Sequence, residues 1–219
     1  MPPMKDFNQR IRLQKCQNMA DDIADLVRLD PPVYHALAST ERELFVPMGM
    51  HHHAYRLDAL PLSGNQWISS PLTVAKMTQA LNPVGADSVL EIGCGSGYQA
   101  AILSRIIRRV FTIERIEKLL LEAKACFKKL EIHNIHARFD DGQRGWRDYA
   151  PYDRILLSAS IPVIPEILFD QLKVGGILVA PMEYDGKQII TQFTKEEGGI
   201  RSVSMDECLF VPVKDGVSR

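Results

Sequence analysis

The chain has 219 residues, 46% of them hydrophobic and 24% charged, with a formal net charge of -1 at pH 7. This is the composition of one globular domain, or of one domain with an added N-terminal segment, and the near-neutral charge favours neither nucleic acid nor a membrane as partner. No apolar run approaches the ~18 residues of a membrane span and the four cysteines form no Cys-x-x-Cys pair, so we expect reduced thiols in a cytoplasmic protein.

The predicted elements fall into a helical N-terminal segment, residues 1–80, and a core, residues 81–219. Apolar residues recur at helical spacing from about residue 6 to 29, where consecutive prolines end the helix. A second, short helix is predicted over residues 32–38. We expect this segment to pack on the core and to carry the substrate side of the site.

Residues 49–70 show little periodicity and are predicted to form a loop. The loop contains the run His51-His52-His53, but adjacent histidines cannot all face one ion, so we expect no metal site. A helix is predicted to begin at Pro71, because proline at the first helical position sacrifices no hydrogen bond. Ser70 precedes it directly and is the predicted N-cap.

From residue 87 onward the chain alternates short apolar strands with helices. Strands are predicted over residues 88–92, 110–114, 135–139, 153–157 and 177–181, with helices over 98–108, 116–130 and 165–172. This alternation predicts an α/β fold, in which a parallel, doubly wound sheet carries helices on both faces. The β-rich segments 187–194 and 201–213 flank an acidic and glycine-containing turn, so we expect an antiparallel hairpin to finish the sheet.

The first predicted strand of the core runs into the turn Gly93-Cys94-Gly95-Ser96-Gly97, which opens a helix. Glycines in such a turn allow positive φ angles and let backbone N–H groups approach a ligand closely. Glu114 ends the next strand, where an acidic side chain can bind both hydroxyls of a ribose. The pattern therefore predicts a nucleotide-containing cofactor; the alternative is a tight turn with helix capping only.

Two features of the turn discriminate between cofactors. Dinucleotide sites generally carry Gly-x-Gly-x-x-Gly, whereas the third glycine here, Gly97, comes one residue early. Glu91 would repel a pyrophosphate but suits a ligand with a cationic ammonium and sulfonium. These features favour S-adenosylmethionine over a nicotinamide dinucleotide, and Asp141, at the end of the third strand, is placed to bind the adenine amino group.

With these residues in view, the chain resembles the protein-L-isoaspartate O-methyltransferases from about residue 42 to 213. The motifs that carry the resemblance include Gly95–Ala101, Ile113–Ile116, Asp141-Gly142 with Gly145-Trp146, Ala150–Asp153, Ile164–Glu166, Gln171–Gly176, Phe210–Pro212 and, upstream, Phe45–Pro47 and Gln66–Ser69. The resemblance implies a seven-stranded, Rossmann-like methyltransferase sheet and S-adenosylmethionine as cofactor. It also implies isoaspartyl-containing proteins as substrates, whose methylated carboxylate collapses to a succinimide that reopens partly to aspartate.

The motifs and the resemblance together give a candidate site. The predicted cofactor-binding residues are Glu91, Gly93, Cys94, Gly95, Gly97, Glu114, Arg115, Asp141 and Gly142. The predicted substrate-side residues are Gln66, Trp67 and Ile68, and the resemblance implies that Ser69 lies in the active site. A carboxylate with a pKa near 4 is already ionised at neutral pH, so we expect Ser69 to orient it by a hydrogen bond and not to act as a covalent nucleophile.

The chain departs from this family mostly on the substrate side. Trp67 stands where the family usually has threonine, and Arg56-Leu57 stands where an acidic pair is usual. On the cofactor side, Asp140 replaces a glycine. Two alternatives therefore stay open: an enzyme that methylates a different acceptor, and a non-catalytic binding protein that retains the fold. We expect a monomer in either case.

Overall fold

The computed structural model describes residues 4–219, with side chains described from residue 7 onward. Its α-helices are α1 (Met4–Ala24), α2 (Pro31–Ser39), α3 (Pro71–Ala80), α4 (Tyr98–Ser104), α5 (Glu117–Lys129) and α6 (Glu166–Asp170). Its strands are β1 (Leu60–Leu62), β2 (Gln66–Ile68), β3 (Ser88–Ile92), β4 (Arg109–Glu114), β5 (Ile135–Phe139), β6 (Tyr152–Leu157), β7 (Leu172–Tyr184), β8 (Lys187–Glu196) and β9 (Gly199–Cys208). Within the described residues, no helix combines the length and apolarity needed to cross a membrane.

The main sheet has seven strands in the order β5-β4-β3-β6-β7-β8-β9. Strands β3 to β7 pair in parallel, and β8 and β9 complete the sheet in antiparallel pairing. This arrangement confirms the predicted doubly wound, mostly parallel sheet and its final antiparallel hairpin. The chain leaves β3 toward β4 on one side and returns to β6 on the other, so the carboxyl end of β3 is the switch point where ligands of such sheets bind.

The two faces of the sheet pack into two hydrophobic clusters. All five residues of β3 are buried, which is typical of a central parallel strand covered on both faces. Side chains alternate between faces: Val89 lies in the cluster that contains α1 to α5, and Leu90 lies in the cluster that contains α6. The first cluster also includes Met19 and Leu37, so the N-terminal helices share one continuous core with the sheet.

Several predicted boundaries differ from the structure. The first helix ends at Ala24 instead of extending to residue 29, and β9 ends at Cys208 instead of residue 213. Strand β7 begins at Leu172, earlier than predicted, because it bulges around Gly175-Gly176 where its pairing with β6 shifts register. The helix predicted over 165–172 is correspondingly shortened to α6.

The stretch predicted as a loop also contains regular structure. Residues Met48–His53 form a 3-10 helix, and β1 pairs with β2 in an antiparallel hairpin, with Pro61 opposite Trp67. Strands of three residues are too short to show the alternation of apolar and polar side chains that predicts a strand. The prediction of a loop over residues 49–70 was therefore wrong in this part.

Candidate active site

One cavity lies at the carboxyl end of β3. It is lined by the glycine turn, by the residues that follow β4 and β5, by β2 and Ser69, and by the chain after β9. Of the residues predicted for the site, those that line it are Gln66, Trp67, Ile68, Ser69, Gly93, Cys94, Gly95, Glu114, Arg115, Asp141 and Gly142. Glu91 and Gly97 do not line the cavity. The predicted cofactor and substrate sides thus meet in a single space.

The side chain of Glu114 is hydrogen-bonded to the backbone of the glycine turn. Its Oε2 accepts a 2.8 Å hydrogen bond from the Gly95 amide, and its Oε1 accepts one of 2.9 Å from the Ile116 amide. Burial raises the pKa of Glu114, while the bonds from backbone amides oppose that rise. The carboxylate also lines the cavity, so acceptor sites beyond these two bonds can take hydroxyl groups of a ligand.

Gly97 lets helix α5 pack closely against the start of helix α4. Its φ is +87°, and a Cβ at this position would stand 2.7 Å from the Phe127 ring of α5. A glycine is therefore required for α4 and α5 to approach each other. By contrast, the space beside Gly95, whose φ is +53°, is open to 4 Å, and Gly95 faces the cavity.

Glu91 lies behind the turn, fully buried. Thr112 Oγ1 donates a 2.6 Å hydrogen bond to its Oε2, and Ser158 Oγ donates one of 3.3 Å to its Oε1. Thr112 is the residue that pairs with Glu91 across β3 and β4. Burial raises the pKa of Glu91 to about 8, and the two hydroxyl bonds oppose this. Glu91 therefore does not reach the cavity itself, but it is hydrogen-bonded to Ser158, which lines the cavity.

Asp141 has both carboxylate oxygens engaged by backbone amides. Its Oδ1 accepts a 3.0 Å hydrogen bond from the Gln143 amide, and through this bond Asp141 is the N-cap of a short 3-10 helix. Oδ2 accepts a 2.9 Å bond from Gly216, near the end of the chain. The neighbouring Asp140 instead forms an ion pair with Arg138, at 2.6 Å. The extra acid at position 140 is therefore neutralised outside the cavity.

The residues after β9 cross the carboxyl end of the sheet, and we call residues 213–218 the C-terminal strap. At one end of the strap, the Val213 amide donates a 2.8 Å hydrogen bond to the Ser160 carbonyl. At the other end the Ser218 amide donates to the Arg115 carbonyl, at 2.7 Å. In between, Arg115 Nε donates a 2.9 Å bond to the Gly216 carbonyl. Val213 and Lys214 line the cavity, so the strap forms part of its wall.

Sequence patterns did not predict this strap, because the segment has no periodicity. Its only signal was the match of Phe210–Pro212 to a family motif directly upstream. Arg115, predicted to bind cofactor, does line the cavity, but its guanidinium is bonded to the strap.

The acceptor side is formed by the β1–β2 hairpin and the residues that follow it. Trp67 is 53% exposed at the cavity rim. Ser70 Oγ accepts a 3.0 Å hydrogen bond from the Thr73 amide, which confirms its predicted role as N-cap of α3. Ser69 is half-buried and lines the cavity. Within the described part of the chain its hydroxyl makes no hydrogen bond, so it is free to bind a ligand.

Known proteins resemble this chain both in sequence and in fold. The sequence model of the family described as protein-L-isoaspartate(D-aspartate) O-methyltransferase matches residues 15–218. A protein-L-isoaspartate O-methyltransferase of Helicobacter pylori strain J99 is 54% identical over 200 residues, 91% of this chain and 96% of the relative. The relative of that name from Desulfosudis oleivorans is 46% identical over 206 residues, 93% of each chain.

Solved structures agree with the fold. A protein-L-isoaspartate O-methyltransferase superposes with a TM-score of 0.82 at 24% identity, covering 91% of this chain and 66% of the longer solved chain. A Plasmodium falciparum protein of that description, in complex with S-adenosyl-L-homocysteine, gives a TM-score of 0.79 at 21% identity and covers 91% of this chain and 98% of its own.

Proposed function

The chain belongs to the protein-L-isoaspartate(D-aspartate) O-methyltransferase family, and from this premise we propose that it methylates the free carboxylate of L-isoaspartyl residues in damaged proteins. The methyl donor is S-adenosylmethionine. The observation that carries the proposal is the single cavity that the glycine turn shares with Ser69 and Trp67. A methyl donor bound at the turn and a carboxylate beside Ser69 would share that space.

The residues around the turn fit this cofactor. The open side of Gly95 admits a ligand close to the backbone, and Glu114 supplies carboxylate oxygens for ribose hydroxyls. Asp141 and Gly142 line the part of the cavity where adenine would lie, with the C-terminal strap beside them. We assign Gly93, Cys94 and Arg115 to the same site. Glu91 lies behind the site, where it is buried and hydrogen-bonded to Thr112 and to Ser158, which lines the cavity.

Bound S-adenosylmethionine supplies an electrophilic methyl group on a sulfonium and leaves as S-adenosylhomocysteine. The protein needs no general base, because the acceptor carboxylate is ionised at neutral pH. Its task is to align the carboxylate oxygen with the methyl group in a space that excludes water. In this proposal the Ser69 hydroxyl donates a hydrogen bond to the carboxylate, while Gln66, Trp67 and Ile68 cover it.

We further propose that residues 1–80 act as the acceptor-side segment and residues 81–219 as the cofactor-binding core. In support, Ser69 and Trp67 come from the first segment and the glycine turn comes from the second. From the four separated cysteines we propose a cytoplasmic location, and we also propose that the protein is a monomer.

The test is methylation of a synthetic isoaspartyl peptide with radiolabelled S-adenosylmethionine, beside the same peptide with normal aspartate. We expect label only in the isoaspartyl peptide, in a base-labile ester. Binding of S-adenosylhomocysteine, measured by calorimetry, separates the failures. Binding without methylation would favour a different acceptor, and the absence of binding would favour a non-catalytic protein.

A further inference from the structure

Arg42 is a fully buried cation without a carboxylate partner among the described residues. Its exposed fraction is 0%, and none of the ion pairs of the described side chains includes it. Burial lowers the pKa of Arg42 to about 10, which still leaves it charged at neutral pH. A buried, unpaired charge is costly, so its retention in the core calls for a role that a neutral side chain would not fill.

The guanidinium binds two carbonyls that are far apart in sequence. Nε donates a 2.9 Å hydrogen bond to the Ala54 carbonyl, and Nη2 donates one of 2.9 Å to the Ser69 carbonyl. These carbonyls mark the two ends of the segment 54–69, which we call the acceptor loop. The loop contains the β1–β2 hairpin and Trp67. One side chain therefore closes the loop at its base.

The guanidinium also contacts the cofactor side. It lies over the ring of Tyr98, with Cζ 4.7 Å from the ring centroid. Tyr98 is the first residue of α4, directly after the glycine turn, and it lines the cavity. Arg42 thus fixes the acceptor loop relative to the helix that follows the turn.

The backbone that carries Arg42 is itself braced. Glu41 forms a short ion pair with Arg12 of α1, and the Thr40 carbonyl accepts a 3.2 Å bond from Cys16 Sγ. Arg105, at the end of α4, donates a 2.8 Å bond to Thr40 Oγ1. Helices α1 and α4 therefore fix the backbone of the residues that directly precede Arg42.

We propose that Arg42 is the positioning residue of the acceptor loop, and that it sets the place of the Ser69 hydroxyl relative to the cofactor turn. The role of Ser69 in this inference rests on the proposed function. Lysine cannot substitute for Arg42, because a single ammonium lacks the planar fork that spans both carbonyls while stacking on Tyr98.

The first experiment compares the wild type with Arg42→Lys. We expect S-adenosylhomocysteine to bind with a Kd changed by less than about threefold, and kcat for isoaspartyl peptide to fall by about 10- to 100-fold, as for a displaced catalytic group. Amide hydrogen exchange within residues 55–68 should accelerate. The control is Leu168→Ala, which destabilises the buried core in α6 without touching the cavity; its kcat should stay near the wild-type value.

A double-mutant cycle separates positioning from general destabilisation. In a Ser69→Ala background, Arg42→Lys should lower kcat by less than about twofold further, because both changes disable one group. Multiplying effects, or unchanged exchange in residues 55–68, would overturn the proposal. A wild type that methylates no isoaspartyl peptide would refute the proposed function instead, and the exchange data would still decide whether Arg42 clamps the loop.

Arg42→Lys can fail to fold, and Arg42→Ala then takes its place. Millimolar guanidinium should restore part of its activity by occupying the vacated site. If neither variant folds, with or without guanidinium, the role of Arg42 is limited to folding and the positioning proposal is wrong.

Discussion

The amide of Gly216 donates a 2.9 Å hydrogen bond to Asp141 Oδ2, so the last residues of the chain touch the acid expected near adenine. The same strap receives the guanidinium of Arg115. A chain that ends at Lys214 would lose both bonds. We expect its Kd for S-adenosylhomocysteine to rise by about tenfold, equivalent to about 1.4 kcal/mol.

Calorimetry on the shortened chain checks this expectation. Arg201→Ala is a suitable control, because Arg201 is exposed on β9 and pairs with Glu196 away from the cavity. An unchanged Kd in the shortened chain would show that the strap contributes nothing to cofactor binding.

Glu91 makes stability depend on pH in a predictable direction. Its pKa is raised from 4.5 to about 8 in the folded chain, so between these values the folded state retains a proton that the unfolded state loses. Unfolding free energy from this group therefore falls as pH rises, by up to about 1.4 kcal/mol per pH unit, and levels off above pH 8. Glu91→Gln should lack this slope. Urea unfolding of both proteins from pH 5.5 to 8.5 measures it; parallel curves would contradict a proton on Glu91.

Gly97 and Gly186 provide a matched pair of glycines. Both have positive φ, +87° and +78°, but a Cβ meets Phe127 at 2.7 Å in the first case and nothing within 4 Å in the second. Alanine at either position incurs backbone strain, and only Gly97→Ala adds a clash. We expect Gly97→Ala to destabilise by about 1–3 kcal/mol more than Gly186→Ala, as measured by denaturant unfolding. Equal losses would mean that α5 yields to the added methyl group.

Ser69 and Ser70 should respond in opposite ways to alanine. Ser70→Ala removes an N-cap bond and should cost about 1 kcal/mol of stability while kcat is retained. Ser69→Ala should leave the unfolding free energy nearly unchanged and lower kcat/KM by about tenfold or more, as for a lost hydrogen bond to a charged group. Activity unchanged in Ser69→Ala would remove the orienting role.

The sequence could predict the part of the site whose residues are neighbours in the chain and form a recognisable motif. The turn Gly93–Gly97 follows an apolar strand and opens a helix, so its place at the carboxyl end of β3 follows from the fold class alone. The same pattern could not show that Glu91 and Gly97 lie outside the cavity lining, because adjacency in sequence does not tell which side of the pleat or turn a residue takes. Long-range contacts were invisible for the same reason: Arg42 meets Ser69 across 27 residues, and no periodicity marks the strap.

The chain contains two tryptophans, and their surroundings differ sharply. Trp146 packs against Phe111 at a centroid distance of 5.7 Å, with Arg138 over its ring, whereas Trp67 is half-exposed at the cavity rim. The protein thus carries an intrinsic optical reporter. Trp67 lines the cavity and Trp146 does not, so we expect a shift in tryptophan emission on adding peptide or cofactor to come mainly from Trp67, and stopped-flow fluorescence could time ligand binding without any label.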